Sequence, residues 1–77
     1  MILKYKVPKH ERKWFRKKVI YCKILKTEEL KNTDKKAHLV RMLNFHNNTS
    51  IFLNKDLEEL NIIDKLKLKI GGYNVQD

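Results

Sequence analysis

The 77-residue chain carries 18 Lys and Arg against nine Asp and Glu, a formal net charge of +9 at pH 7. A domain of this length buries only about 60% of the surface its unfolded chain exposes, which leaves room for one core and not two. One cysteine excludes an internal disulfide, the adjacent glycines 71 and 72 exclude a Gly-rich phosphate loop, and no apolar run approaches the length of a membrane-spanning helix.

The charge is uneven. Residues 1–26 hold ten basic side chains against the single acid Glu11, a net +9, whereas residues 27–77 hold eight basic and eight acidic groups and are neutral. A basic block repels itself in a compact fold, and a segment that keeps one is suited to phosphates, whose condensed counterions are released on contact. A solvated lysine-rich face is the plainer alternative.

In chain order, residues 2–7 alternate, with Leu3, Tyr5 and Val7 on one side and Lys4 and Lys6 on the other, the period of a half-buried strand. Pro8 ends it. Residues 8–17 read as a short helical turn or an extended basic loop. Residues 18–26 read as a central strand, apolar on both faces near its middle. Ile20, Cys22 and Ile24 share one face, opposite Val19, Tyr21, Lys23 and Leu25. Cys22 reads as a small packing residue in a reducing compartment.

The polar stretch 26–36 reads as an exposed connection. Residues 37–45 and 50–53 read as a hairpin around His46-Asn47-Asn48-Thr49, because asparagine tolerates the positive φ that tight turns require. Asn54 is placed to cap a short helix over residues 55–61. In residues 65–70 every second residue is apolar, the alternation of a fifth strand with Lys65, Lys67 and Lys69 on its outer face, ended by Gly71. Residues 72–77 read as a frayed tail. These elements predict a mainly β (α+β) single domain over residues 1–77: a five-stranded curled sheet, or a barrel of SH3-like or OB-like size, with one short helix before the last strand.

The candidate site lies in the basic block. Trp14 and Phe15 sit among Lys9, Arg12, Lys13, Arg16, Lys17 and Lys18, with Tyr21 and Lys23 following. Rings that stack on bases, interleaved with cations that follow phosphates, are what a single-stranded nucleic acid requires. Against this, the only tryptophan of a short chain is commonly a core anchor. Lys4, Lys6, Lys65, Lys67 and Lys69 form a secondary basic row, and would join in one stripe if strand 65–70 lay beside strand 2–7. Otherwise they are a solvated face, or lysines that blunt an edge.

The histidines 10, 38 and 46 lack the spacing and cysteine partners of a zinc site, and the acidic pairs 28–29 and 58–59 fall in polar segments rather than a cleft-like pattern. The expectation is therefore a cytoplasmic, non-enzymatic protein without cofactor, bound to DNA or RNA. The alternative is an inhibitor or adaptor of phage or mobile-element origin that docks on a host nucleoprotein complex through the same basic face, Trp14, Phe15 and Arg16 then being the interface anchors. A ribosome-associated or chromatin-type role fits the charge equally. Membrane binding is disfavoured, and the small core leaves room for homodimerisation.

Overall fold

The computed structural model describes residues 1–31 and 35–73. It contains one five-stranded antiparallel sheet, β1 (Ile2–Lys6), β2 (Val19–Glu29), β3 (Lys36–Met42), β4 (Asn48–Leu53) and β5 (Leu57–Glu58), in the order β4-β3-β2-β1-β5. The sheet is curled as expected and is not closed into a barrel: no ladder among the described residues joins β4 to β5. A 3₁₀ turn, Asn54–Asp56, precedes the last strand. Two helical elements lie outside the sheet, α1 (Arg12–Phe15) between β1 and β2 and α2 (Ile62–Ile70) after β5.

Alternation in β1 and β2 sets the core. Ile20, Cys22, Val40 and Met42 line the inner face with Val7 and Leu57, and Leu3, Tyr5, Phe15, Ile24, Phe45 and Phe52 pack around them. Across the curl, the rings of Tyr5 on β1 and Phe52 on β4 stand 4.6 Å apart, which shows how strongly the sheet bends. The bend coincides with a register shift in the β2–β3 ladder between Ile24 and Lys26, where Leu25 is the extra residue. Beyond this bulge the inner face continues through Thr27 and His38. His38 is buried, with Nδ1 2.8 Å from the Thr27 hydroxyl and Nε2 2.8 Å from Asn54 Oδ1.

Cys22 is fully buried, and burial pushes its thiol pKa up to about 12. The native protein should accordingly resist thiol reagents at pH 8 and react fully in denaturant, because only the thiolate is nucleophilic. Labelling in the folded state at the denatured rate would show that β2 opens readily.

Four sequence expectations are corrected. Residues 65–70 form no strand: they belong to α2, framed by a capping box in which Asn61 Oδ1 accepts from the Asp64 N–H at 2.8 Å and Asp64 Oδ2 accepts from the Asn61 N–H at 3.1 Å. Lysine and leucine are good helix formers, and the cap outweighs six residues of alternation. Asn54 caps no helix over 55–61, since its side chain bonds His38 and the chain turns into β5. The connection expected from residue 26 is strand as far as Glu29, exposed but paired with β3, while 32–34 lie outside the described residues. Of the expected tail, Tyr73 is tied down, its hydroxyl donating to Leu43 O at 3.1 Å and its N–H to Leu68 O at 2.9 Å; residues 74–77 lie outside the described residues.

The hairpin stands. His46 and Asn47 have φ of 55° and 54°, and the Asn48 N–H donates to Phe45 O at 3.1 Å, a turn with positive φ at both central residues. Among the described residues, no helix is long and apolar enough to cross a membrane.

Candidate functional site

Residues 8–18 leave the sheet at the end of β1 and return to it at the start of β2. The excursion is closed at its base by the Val7 N–H donating to Lys18 O at 2.9 Å. Within it a 3₁₀ turn, Lys9–Glu11, runs into the single helical turn α1. Arg16 then takes the left-handed conformation at φ 56°, and its N–H donates to Arg12 O at 2.7 Å. That conformation ends the turn and sends the chain back towards β2.

Three side chains fix the segment to the sheet. Phe15 meets Tyr5 and Phe45 edge-on, with centroids 6.4 and 5.0 Å away. The Tyr5 hydroxyl donates to Glu11 Oε1 at 2.8 Å, and Arg12 Nε donates to Val7 O at 3.1 Å. Burial, with the Glu11 carboxylate beside it, pushes the Tyr5 pKa up to about 12. Phe15 is thereby an anchor of the segment and not a free contact residue.

The remaining members of the block face solvent. Trp14 is 75% exposed, and Lys9, Lys13, Arg16, Lys17 and Lys18 are exposed around it. The core-anchor alternative for Trp14 is therefore overturned: the tryptophan stands on the outer side of the turn whose inner side is held by Phe15. Beside it a shallow groove is lined by Trp14, Phe15, Arg16 and Lys17 on one wall and by Asn44, Phe45 and His46 on the other. Asn44 is held rigidly, Oδ1 accepting from the Tyr21 N–H at 2.9 Å and Nδ2 donating to Val19 O at 2.9 Å. The second wall comes from the β3–β4 hairpin, about 30 residues further along the sequence, and only the curl of the sheet brings it to Trp14.

Tyr21 and Lys23 lie elsewhere. Both are on the outer face of β2, where Lys23 is exposed and Tyr21 is half-buried with its hydroxyl donating to Asp64 Oδ1 at 3.0 Å. Burial, with the Asp64 hydrogen bond and charge, raises the Tyr21 pKa above its ordinary value. The secondary basic row is not assembled. Lys4 is buried beneath α2, bonding Asp64 Oδ2 at 2.7 Å, and Lys6 stands 3.5 Å from Glu58 at the surface. Lys65 and Lys69 are one helical turn apart on α2, with Lys67 on the other side of the helix, so no stripe continues from β1. Among the described residues no three His, Cys, Asp or Glu side chains converge as metal ligands.

The arrangement offers a flat, solvated indole on an ordered turn, ringed by cations and bordered by a half-buried ring and a histidine. No family model, no curated protein and no solved structure matches this chain.

Proposed function

We propose that this is a non-enzymatic nucleic-acid-binding domain, in which Lys9, Lys13, Arg16, Lys17 and Lys18 contact phosphates and Trp14 stacks on a base. The observation that carries this reading is the exposure of the only tryptophan, 75%, at the centre of the basic segment. An indole left in water forfeits a large apolar transfer term. Base stacking recovers it, contributing about 1–3 kcal/mol per base. The rigid footing through Phe15, Glu11 and Arg12 supports the same reading, because a surface that is already ordered loses little conformational entropy on binding. A single strand is favoured over a duplex, since only unpaired bases present open faces to a ring.

The test is binding to labelled single-stranded and double-stranded DNA and RNA over a salt series. A steep negative slope of logarithmic affinity against logarithmic salt is expected, with single strands held more tightly than duplex. Binding that disappears at physiological salt for every nucleic acid would overturn the reading and assign the basic surface to an acidic protein.

A further inference from the structure

The opposite edge of the sheet has a different character. β4 is hydrogen-bonded to β3 alone, and no described strand covers its outer edge. Its six residues, Asn48–Leu53, include no charged side chain and no proline, in a chain of which 35% is charged. Edges that must stay unpaired are commonly blunted by lysine, proline or a bulge; β4 has none of these. Ile51, 69% exposed, pairs in register with Leu39, 39% exposed, on the outer face of the sheet. These two side chains, with Leu30 and Ala37, line a shallow apolar depression whose only charges are Lys26 and Glu28. Those two bond each other at 2.9 Å, so the depression is neutral, with Arg41, the next outward residue of β3, beyond its rim.

We infer that β4 is the pairing edge of a homodimer, occupied by β4 of a second copy in antiparallel register to give one continuous ten-stranded sheet. A two-fold contact sets a patch against itself, so any net charge on it is self-repulsive. In a chain of +9 this patch meets that condition. The α2 stripe of Ile62, Leu66 and Ile70, also exposed and apolar, does not: it is flanked by Lys65, Lys67 and Lys69. A two-fold axis at Ile51 places the two Ile51 side chains against each other with a Leu39 outside each, an apolar row across the joint. In the same register Asn48 lies opposite Asn54 of the second copy and Lys55 opposite Asn47, so no like charges meet along the strand. Pairing also satisfies the outward-pointing backbone groups of both edges and enlarges a small core. The inference does not rest on nucleic-acid binding.

The experiment is sedimentation equilibrium on nuclease-treated protein at high salt, from low to high micromolar concentration, so that bound nucleic acid cannot bridge copies. The parent chain should approach the mass of two chains. Ile51→Lys should have the mass of one with an unchanged circular-dichroism spectrum, because Ile51 is exposed and the fold does not depend on it. Leu66→Lys should dimerise like the parent. Hydrogen exchange gives a second readout: the β4 amides should slow as concentration rises in the parent and not in Ile51→Lys. A parent that stays single at every concentration, a dimer that survives Ile51→Lys, or one abolished by Leu66→Lys would each overturn the assignment.

Discussion

Asp64→Ala is expected to destabilise the protein by about 3–5 kcal/mol, the range for breaking a buried ion pair by removing one partner. Against a total of about 5–15 kcal/mol for a native domain, that is enough to detach α2 or unfold the chain. Asp64 does three things at once. It accepts from Lys4 Nζ at 2.7 Å and from the Tyr21 hydroxyl at 3.0 Å, and it closes the capping box with Asn61. Lys4 is only 9% exposed, so without Asp64 a buried ammonium has no counter-charge. Burial by itself would raise the Asp64 pKa, but the hydrogen bonds from Lys4, Asn61 and Tyr21 and the Lys4 charge hold it below the ordinary carboxylate value. Because the folded pKa is the lower one, the stabilisation is complete above the unfolded value, about 3.9. It is lost as pH falls through the folded value. Urea melts of the parent should therefore weaken below about pH 4 and those of Asp64→Ala should be flatter there. The double variant Lys4→Met, Asp64→Leu removes the uncompensated ammonium and should recover part of the loss, while the Tyr21 hydrogen bond and the capping box stay broken. A midpoint for Asp64→Ala indistinguishable from the parent would mean that α2 is not held by this pair.

Charge-neutral replacement of Lys9, Lys13, Arg16, Lys17 and Lys18 by glutamine should lower affinity for single-stranded nucleic acid about a thousandfold at physiological salt. Each phosphate left without its cation makes the log–log salt slope shallower by about 0.7 on a single strand, and five of them, counted from about 1 M salt down to about 0.15 M, give that factor. All five side chains are exposed, and the anchors Phe15, Glu11 and Arg12 are untouched, so the fold should persist. Trp14→Ala separates the other contribution: it should weaken binding by about 1–3 kcal/mol while the salt slope stays at the parent value, because stacking releases no counterions. A quintuple variant that folds and binds like the parent would remove this segment from the interface. Weaker binding by Trp14→Ala accompanied by a shallower slope would instead mean that the indole positions the neighbouring cations.

The buried pair and the basic segment both adjoin β1, and they differ in how far the sequence announced them. The basic segment was legible because charge density and aromatic interleaving are local properties: Lys9 to Lys18 are contiguous, and a turn of so few residues cannot hide most of them. The alternation of Leu3, Tyr5 and Val7, the central position of β2 and the positive-φ turn before β4 were legible for the same reason. Each follows from a period or a residue type within one short window. The Lys4–Asp64 pair was not legible, because its partners are 60 residues apart and Lys4 by pattern belongs to a solvated row.

The alternation in residues 65–70 misled because a run of six apolar and basic residues satisfies the period of a strand and, with Asn61 and Asp64 before it, the signals of a capped helix. Nothing within the run chooses between them. Packing chose, by giving Asp64 a buried ammonium to meet and by leaving Leu68 buried while Leu66 remained 54% exposed, which one face of a strand would not do. In the same way the sequence placed Trp14 among cations but left its ring equally suited to the core. Its exposure follows from Phe15, which occupies the inward position of the turn against Tyr5 and Phe45. Order along the chain was enough to place β1 to β4, though not all of their ends, and the hairpin and the charged segment, since these depend on near neighbours. The helix, the buried pair and the face presented by the tryptophan came from competition among distant groups for a few inward positions, and that competition exists only in the folded molecule.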